Sequence, residues 1–165
     1  MAFHPDAWRF VVIALVPAIP VAGMAWPWGG LALLLPILVA LFFRDPDRLA
    51  PDRPGGVLSP ADGVVLSIGP AAPPPELGLA ADGFTRICVF LSVFDVHVTR
   101  APATGLVLNA VHRPGKYLVA SREKASDDNE RLSVAIETPA GIVAFALIAG
   151  LIARRIVSPL AAGQR

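Results

Sequence analysis

The stretch RLSVAIETPAGIVAFALI, residues 131–148, decides the fold class because it holds two apolar, β-branched runs around one turn. The runs at 131–137 and 142–149 are typical of strands. The residues between them, Thr138-Pro139-Ala140-Gly141, predict a hairpin turn. Because a hairpin pairs its strands antiparallel, this stretch predicts an antiparallel sheet in the C-terminal part of the chain.

Similar short runs recur outside this hairpin. They predict further strands at residues 64–68, 86–93, 96–100, 105–111 and 151–157. The Pro-rich segment 69–78 predicts an exposed loop. No strong amphipathic helix follows residue 43, and no dinucleotide or phosphate-loop fingerprint occurs. We therefore predict a mainly β domain at residues 57–165, with a compact antiparallel sandwich or barrel-like architecture.

The N-terminal third is strongly apolar and carries no charge between residues 10 and 43. Such a run is too long for one membrane span and slightly short for two. Gly29, Gly30 and nearby prolines interrupt it close to its centre. We predict a membrane hairpin at residues 1–43, made of two short helices at about 8–25 and 28–43. A cleaved signal peptide and a shallow re-entrant hairpin are the alternatives.

Charged residues flank this hairpin on both sides. Residues 44–56 alternate charges with prolines and end in two glycines, which predicts a juxtamembrane linker. Its arginines either meet anionic headgroups or stay solvated. Arg9 precedes the hairpin, while Arg44, Arg48 and Arg53 follow it. By the positive-inside rule, we expect a cell-membrane location with the β domain on the cytoplasmic side.

Composition excludes several function classes. The net charge of +1 and the scattered basic residues give no nucleic-acid signature. The single cysteine, Cys88, cannot form an internal disulfide. Three histidines and one cysteine do not have the spacing of a zinc site, so no metal is expected. A serine hydrolase is disfavoured because no G-x-S-x-G elbow occurs.

Two short segments hold the residues best suited to catalysis. In residues 94–100, strand alternation would point Asp95, His97 and Thr99 to one face. An aspartate that accepts a hydrogen bond from an imidazole raises the basicity of that imidazole. A general base that works near neutral pH needs this increase. Asp62 lies in a turn framed by proline and glycine, directly before a strand. The alternative for both segments is structural, a solvated strand face and an ordinary turn aspartate.

Basic side chains at two further places suggest contacts with an anion. His112, Arg113 and Lys116 surround a Pro-Gly turn and could hold a phosphate or a carboxylate. A solvated hairpin tip is the alternative. Arg154 and Arg155, adjacent in a predicted strand, would point to opposite faces, so that one of them could bind an anion.

An ordered set of motifs resembles one known family. The motifs are FFRDPDR (42–48), SPADGVV (59–65), FLSVFDVHVTRAP (90–102), HRPGKYLVAS (112–121), KASDDNER (124–131) and GLIARRIV (150–157). With the N-terminal hairpin, they resemble the short, bacterial and archaeal-type branch of the phosphatidylserine decarboxylases. The similarity extends from about residue 42 to residue 164.

The resemblance implies a pyruvoyl-dependent lyase that makes phosphatidylethanolamine. In that family, a proenzyme cleaves itself at a Gly-Ser bond, and the serine becomes a pyruvoyl group on a small chain. This group forms a Schiff base with phosphatidylserine and takes electrons from the α-carbon as carbon dioxide leaves. By motif match, Asp62 is associated with self-cleavage and His97 with decarboxylation and reprotonation. Asp95 would orient His97, while His112, Arg113, Lys116 and Arg155 would contact substrate.

The sequence departs from the family pattern at two points. The longer branch has a second histidine where this chain has Arg100, so the base for self-cleavage would be His97, another group or a water. No Gly-Ser dipeptide occurs in the 165 residues. We therefore expect the chain to be most of the large chain, incomplete at its C-terminus and inactive alone, because it lacks the pyruvoyl-forming serine. The alternative is a truncated, inactive relative that acts as a membrane-attached lipid-binding or scaffold module.

The expected partners follow from the resemblance and the hairpin. They are the membrane, a phospholipid substrate and a small pyruvoyl-bearing chain. A homodimer is an open assembly state, and no nucleic acid is expected.

Overall fold

The computed structural model describes residues 2–24, 28–51, 53, 55–118 and 128–165. These residues form two compact units. The first comprises Met1–Pro51, Ala61–Gly63 and Leu91–Arg100, and the second Asp52–Pro60, Val64–Phe90 and Ala101–Arg165. The first four residues of the KASDDNER motif lie outside the described part of the chain.

The first unit is built around a helical hairpin, as predicted. Helix α1 spans Ala7–Met24, a 3-10 helix spans Trp28–Leu33, and helix α2 spans Leu34–Phe42. Gly29 allows the two arms to approach closely, because a Cβ there would lie 2.5 Å from the carbonyl oxygen of Val21.

The two ends of the hairpin meet. Strand β1 (Ala2–Phe3) pairs antiparallel with strand β2 (Arg44–Asp45). Nearby, the rings of Phe10 and Phe43 stack with their centroids 5.0 Å apart. The chain therefore enters and leaves the hairpin at one end, called the open end below.

The hairpin exposes most of its apolar surface. Helix α1 is long and apolar enough to cross a membrane by length and composition, and only 17% of it is buried. The apolar stretch Gly29–Phe42 is shorter. A core helix of a soluble domain would bury such side chains. We therefore expect this exposed apolar surface to contact an apolar partner.

The second unit consists mainly of antiparallel strands. They are β3 (Val64–Pro70), β4 (Thr85–Phe90), β5 (Leu106–Arg113), β6 (Arg131–Thr138) and β7 (Gly141–Ile148). Strands β3 and β4 form one sheet, and the other has the order β5-β6-β7. The mainly β fold class behind an N-terminal helical hairpin is confirmed.

The core of the second unit lies on the central strand, β6. Leu132, Val134 and Ile136 alternate along one face of β6 and are buried together with Val107 of β5. The predicted turn joins β6 to β7, and Thr138 pairs with Gly141 where it closes. The hairpin that decides the fold class therefore also supplies most of the core.

The Pro-rich segment after β3 is not the exposed loop that its composition predicts. Its 3-10 helix, Pro75–Leu77, buries Leu77 and brings Glu76 to β6. Both Arg131, through Nη2 at 2.8 Å, and Ser133, through Oγ at 2.6 Å, donate hydrogen bonds to Glu76. The prediction was wrong because these bonds compensate the cost of burying a carboxylate.

Two other predicted strands differ from the structure. Strand β4 ends at Phe90, short of the predicted residue 93. Residues 151–157 form no strand, because their backbone closes on itself. Gly150 N–H donates to Ala153 O at 2.9 Å, and Arg154 N–H donates to Ile152 O at 3.0 Å. Arg154 and Arg155 therefore do not lie on opposite faces of a strand.

Candidate functional site

The predicted strand at residues 96–100 is instead irregular, and a tight turn at residues 92–95 precedes it. Asp95 N–H donates to Ser92 O at 2.9 Å, and Ser92 N–H donates to the Asp95 carboxylate at 2.7 Å. Arg44 donates to Phe94 O at 2.7 Å. Because such local bonds satisfy the backbone, alternation does not apply, and Asp95, His97 and Thr99 do not form a column on a strand face.

His97 is held at two points, and together they define the His97 site. Its Nδ1 lies 2.9 Å from the backbone carbonyl of Asp95, so this nitrogen carries the proton in the hydrogen-bonded tautomer. The imidazole also stacks on Phe42, the last residue of α2, with ring centroids 3.8 Å apart. In neutral His97 this leaves the lone pair on Nε2 to accept a proton.

The sequence suggested that the carboxylate of Asp95 orients His97. In the structure, the backbone carbonyl of Asp95 orients it instead. Hydrogen bonds from Ser92 hold the pKa of Asp95 below its ordinary value, and the charges of His97 and Arg44 act in the same direction. The carboxylate thus closes the turn that positions the carbonyl.

The surroundings of His97 favour its neutral form. Partial burial lowers the pKa of the imidazole below 6.5, and the positive charge of Arg44 adds to this effect. The carbonyl and the carboxylate of Asp95 oppose it without reversing the net direction. At neutral pH, His97 is therefore poised to accept a proton.

Asp62 belongs to the same unit and has its own partner, Arg48. The guanidinium Nη2 of Arg48 donates to the Asp62 carboxylate Oδ2 in a close ion pair. Gly63, at φ 144°, adopts a conformation that side chains rarely allow, and so turns the chain directly after Asp62. Arg48 was placed in a linker by the sequence, so its contact with Asp62 was missed.

Arg100 follows His97 by three residues. Its Nη2 donates to the Asp45 carboxylate at 2.6 Å and to Pro46 O at 3.0 Å. These bonds fasten the FFRDPDR motif to the segment of His97. Arg100 thus links these two segments of the first unit.

The second unit contains a separate polar cluster around Glu130, which is nearly buried. His112 Nε2 lies 3.1 Å from Oε1 of Glu130, and Tyr117 donates its hydroxyl proton to Oε2 at 2.8 Å. The hydrogen bond from Tyr117 lowers the pKa of Glu130, and the same bond raises the pKa of Tyr117. Sequence reasoning singled out His112 but missed both partners.

The other predicted anion-binding residues have varied surroundings. Lys116 is exposed and lies 3.5 Å from the Asp128 carboxylate, while Arg113 and Arg155 are exposed. The His112 ring faces the Glu130 carboxylate, so this side of the ring is not free to contact an anion. Substrate binding by His112, Arg113, Lys116 and Arg155 stays a prediction. Within the described ranges, no three His, Cys, Asp or Glu side chains are grouped to hold a metal ion.

Known proteins resemble this chain over almost its whole length. A family model described as phosphatidylserine decarboxylase matches residues 35–165. The phosphatidylserine decarboxylase proenzyme of Azorhizobium caulinodans is 48% identical over 161 residues, which cover 98% of this chain and 69% of the relative. That of Paramagnetospirillum magneticum is also 48% identical, over 97% of this chain and 67% of the relative. The proenzyme of Cereibacter sphaeroides is 46% identical, over 98% and 73%.

The family model and these relatives define a class of enzyme, the carboxy-lyases, and the relatives are named as proenzymes. More particularly, the chain belongs to the phosphatidylserine decarboxylase family. The resemblance drawn from the sequence motifs is confirmed.

Proposed function

We propose that this chain is the large-chain part of an enzyme that converts phosphatidylserine to phosphatidylethanolamine with a pyruvoyl group carried by a small chain. One observation carries the proposal. His97, a group suited to proton transfer, stacks on Phe42 at the end of an apolar helical hairpin. A lipid headgroup lies at the boundary between apolar and polar surroundings, so a residue that transfers protons to it must lie at that boundary too.

The residues of the His97 site fit the needs of a pyruvoyl-dependent decarboxylation. When present, the pyruvoyl group supplies an electron sink for the α-carbon as carbon dioxide leaves. In neutral His97, Nε2 can accept the proton that the substrate ammonium group must lose, and can later return a proton to the α-carbon. Its partial burial limits competition from water.

The acid limb of kcat/KM should lie below pH 6.5, because the lowered pKa of His97 keeps the imidazole neutral to a lower pH. The Asp95→Asn variant removes a negative charge that raises this pKa, so its acid limb should move to still lower pH. The measurement is a pH profile of carbon dioxide release by the processed enzyme. An acid limb above pH 6.5 in the parent would contradict the neutral-histidine role.

Asp62 would act in self-cleavage of the proenzyme, with Arg48 as the residue that positions it. In a chain that carries the Gly-Ser pair, Asp62→Asn should slow self-cleavage by about 10²-fold or more, because an amide cannot take up a proton. Arg48→Gln should slow it only about fivefold or less, since the ion pair is half exposed. A time course of cleaved bands on a gel measures both. Equal rates for Asp62→Asn and the parent would remove Asp62 from the reaction.

The exposed apolar surface of β3 and β4 is an argument for a partner chain that covers it. Val64, Leu66, Ile68 and Ile87 on these two strands are all mostly exposed. A two-stranded sheet with such a surface is only marginally stable alone, so a further segment is expected to cover it. The small chain, implied by the name proenzyme among the relatives, is the occupant we propose.

The hairpin would anchor the chain in the cell membrane, with the β-rich unit on the cytoplasmic side. The apolar surface of α1 and the arginines that flank the hairpin support this location. His112, Arg113, Lys116 and Arg155 would contribute contacts to the anionic headgroup. A homodimer remains a prediction for the assembly.

The release of labelled carbon dioxide from phosphatidylserine tests the proposed reaction. The assay uses the protein as its gene encodes it, and the gene sequence after the codon for Arg165 is read first. A following strand with a Gly-Ser pair and measurable release support the proposal. A stop codon at that point, with no release, would instead favour the inactive lipid-binding relative.

A further inference from the structure

The turn that precedes His97 presents two apolar side chains to solvent. Phe94 is 76% exposed and Val93 is 46% exposed, whereas Val96, directly after the turn, is buried. Exposed apolar side chains that lie together can mark a protein or membrane interaction site, whereas single ones need no explanation. We call residues 93–94 the apolar tip.

The backbone of the apolar tip is firmly held. Ser92 and Asp95 close the turn with two hydrogen bonds, at 2.9 and 2.7 Å. Arg44 adds a third, from Nη2 to the carbonyl of Phe94, at 2.7 Å. The exposure of Phe94 is therefore a property of an ordered turn, and no loose loop has to rearrange to present it.

The apolar tip lies at the open end of the helical hairpin. Arg44 follows the last residue of α2, Phe42, by two positions, and its side chain also reaches back to Leu41 O at 3.4 Å. One arginine side chain thus spans from the end of α2 to the tip. An exposed apolar pair beside a cation is the combination that suits the interface of a bilayer, where acyl chains and phosphates lie close together.

We propose that Val93 and Phe94 insert into the headgroup–acyl boundary of a bilayer that contains anionic phospholipid, with Arg44 at the level of the phosphates. The proposal rests on the membrane anchoring given above. Insertion at this depth holds His97, three residues after Phe94, at the level of the lipid headgroups. The substrate headgroup then reaches the imidazole while its acyl chains stay in the bilayer.

Fluorescence quenching by lipids tests this insertion. A Cys88→Ala background removes the single native cysteine, and Phe94→Cys then accepts an environment-sensitive fluorophore. The full chain is reconstituted in vesicles of phosphatidylcholine and phosphatidylserine that carry a nitroxide at carbon 5 of the acyl chain. We expect quenching at Phe94 to exceed that at Ile142→Cys, 41% exposed on β7, by about twofold or more.

A third label separates this proposal from membrane anchoring itself. Val16→Cys lies on α1, where Val16 is 68% exposed. If the label at Val16 is quenched and the label at Phe94 is quenched no more than that at Ile142, the insertion of the tip is wrong while the anchor stands. If Val16 is not quenched, the anchor fails, and the insertion proposal fails with it. A Phe94 label that is shielded from aqueous iodide but not quenched by nitroxide lipid would show a protein cover and overturn the proposal.

Discussion

Replacing His97 with alanine should reduce carbon dioxide release by the processed enzyme by roughly 10²–10⁴-fold, the usual range for loss of a general acid–base group. The imidazole is fixed by the Asp95 carbonyl and by Phe42. The rate is measured per cleaved molecule, so that any effect on self-cleavage is kept separate. Near-normal turnover would return His97 to a structural role.

The matched control is Phe42→Leu, which keeps an apolar side chain beside His97 and removes the ring. Ring stacking is worth about 0.5–1.5 kcal/mol, so this variant should lose about tenfold or less. The contrast separates the chemical role of the imidazole from the quality of its positioning. A loss in Phe42→Leu as large as that in His97→Ala would mean that disturbed packing explains both.

Replacing Glu76 with alanine should lower the free energy of unfolding by about 3–5 kcal/mol, the usual cost of removing one partner of a buried ion pair. The side chains of Arg131 and Glu76 are only 9% and 13% exposed. The change takes the carboxylate from a buried guanidinium and the acceptor from Ser133. Denaturant unfolding of the full chain measures the loss, and Asp82→Ala, at an exposed carboxylate, should change stability by only about 0.5 kcal/mol.

The pH dependence provides a second test of Glu76. Burial alone would raise its pKa, but the hydrogen bonds from Ser133 and the backbone, with Arg131, lower it below 4.5. Because the folded pKa is depressed, this stabilisation is present above about pH 4.5 and is lost as the pH falls through the folded pKa. The stability difference between the parent and Glu76→Gln should therefore shrink below pH 4.5. A difference that grows on acidification would contradict this assignment.

Local patterns were sufficient for the helical hairpin and for most strands. The charge-free run could only form helices or a buried core, and the alternation around residues 131–148 favours strands whatever they pack against. Local patterns failed at residues 94–100, where the composition suits a strand. There the side chains of Asp95 and Arg44 bind the backbone and replace the bonds of a neighbouring strand.

The candidate site was predicted only in part. The D-x-H and P-A-D-G motifs pointed to Asp62, Asp95 and His97, whose catalytic roles remain predictions. Neither motif shows which other residues contact and position Asp62 and His97. Phe42 is 55 positions before His97, and Arg48 is 14 before Asp62, so no local periodicity relates either pair. The FFRDPDR motif was the available signal, but its proline and its charges suggested a linker.

By itself, the sequence determined the family, the fold class and the type of residue available for chemistry, because these depend on composition, short motifs and the period of apolar residues. Only the tertiary structure decided that the Asp95 carbonyl rather than its carboxylate orients His97, and that Glu76 is buried against Arg131. Such contacts depend on which distant segments meet, and the free energy of packing and of satisfying buried polar groups selects them over local preference.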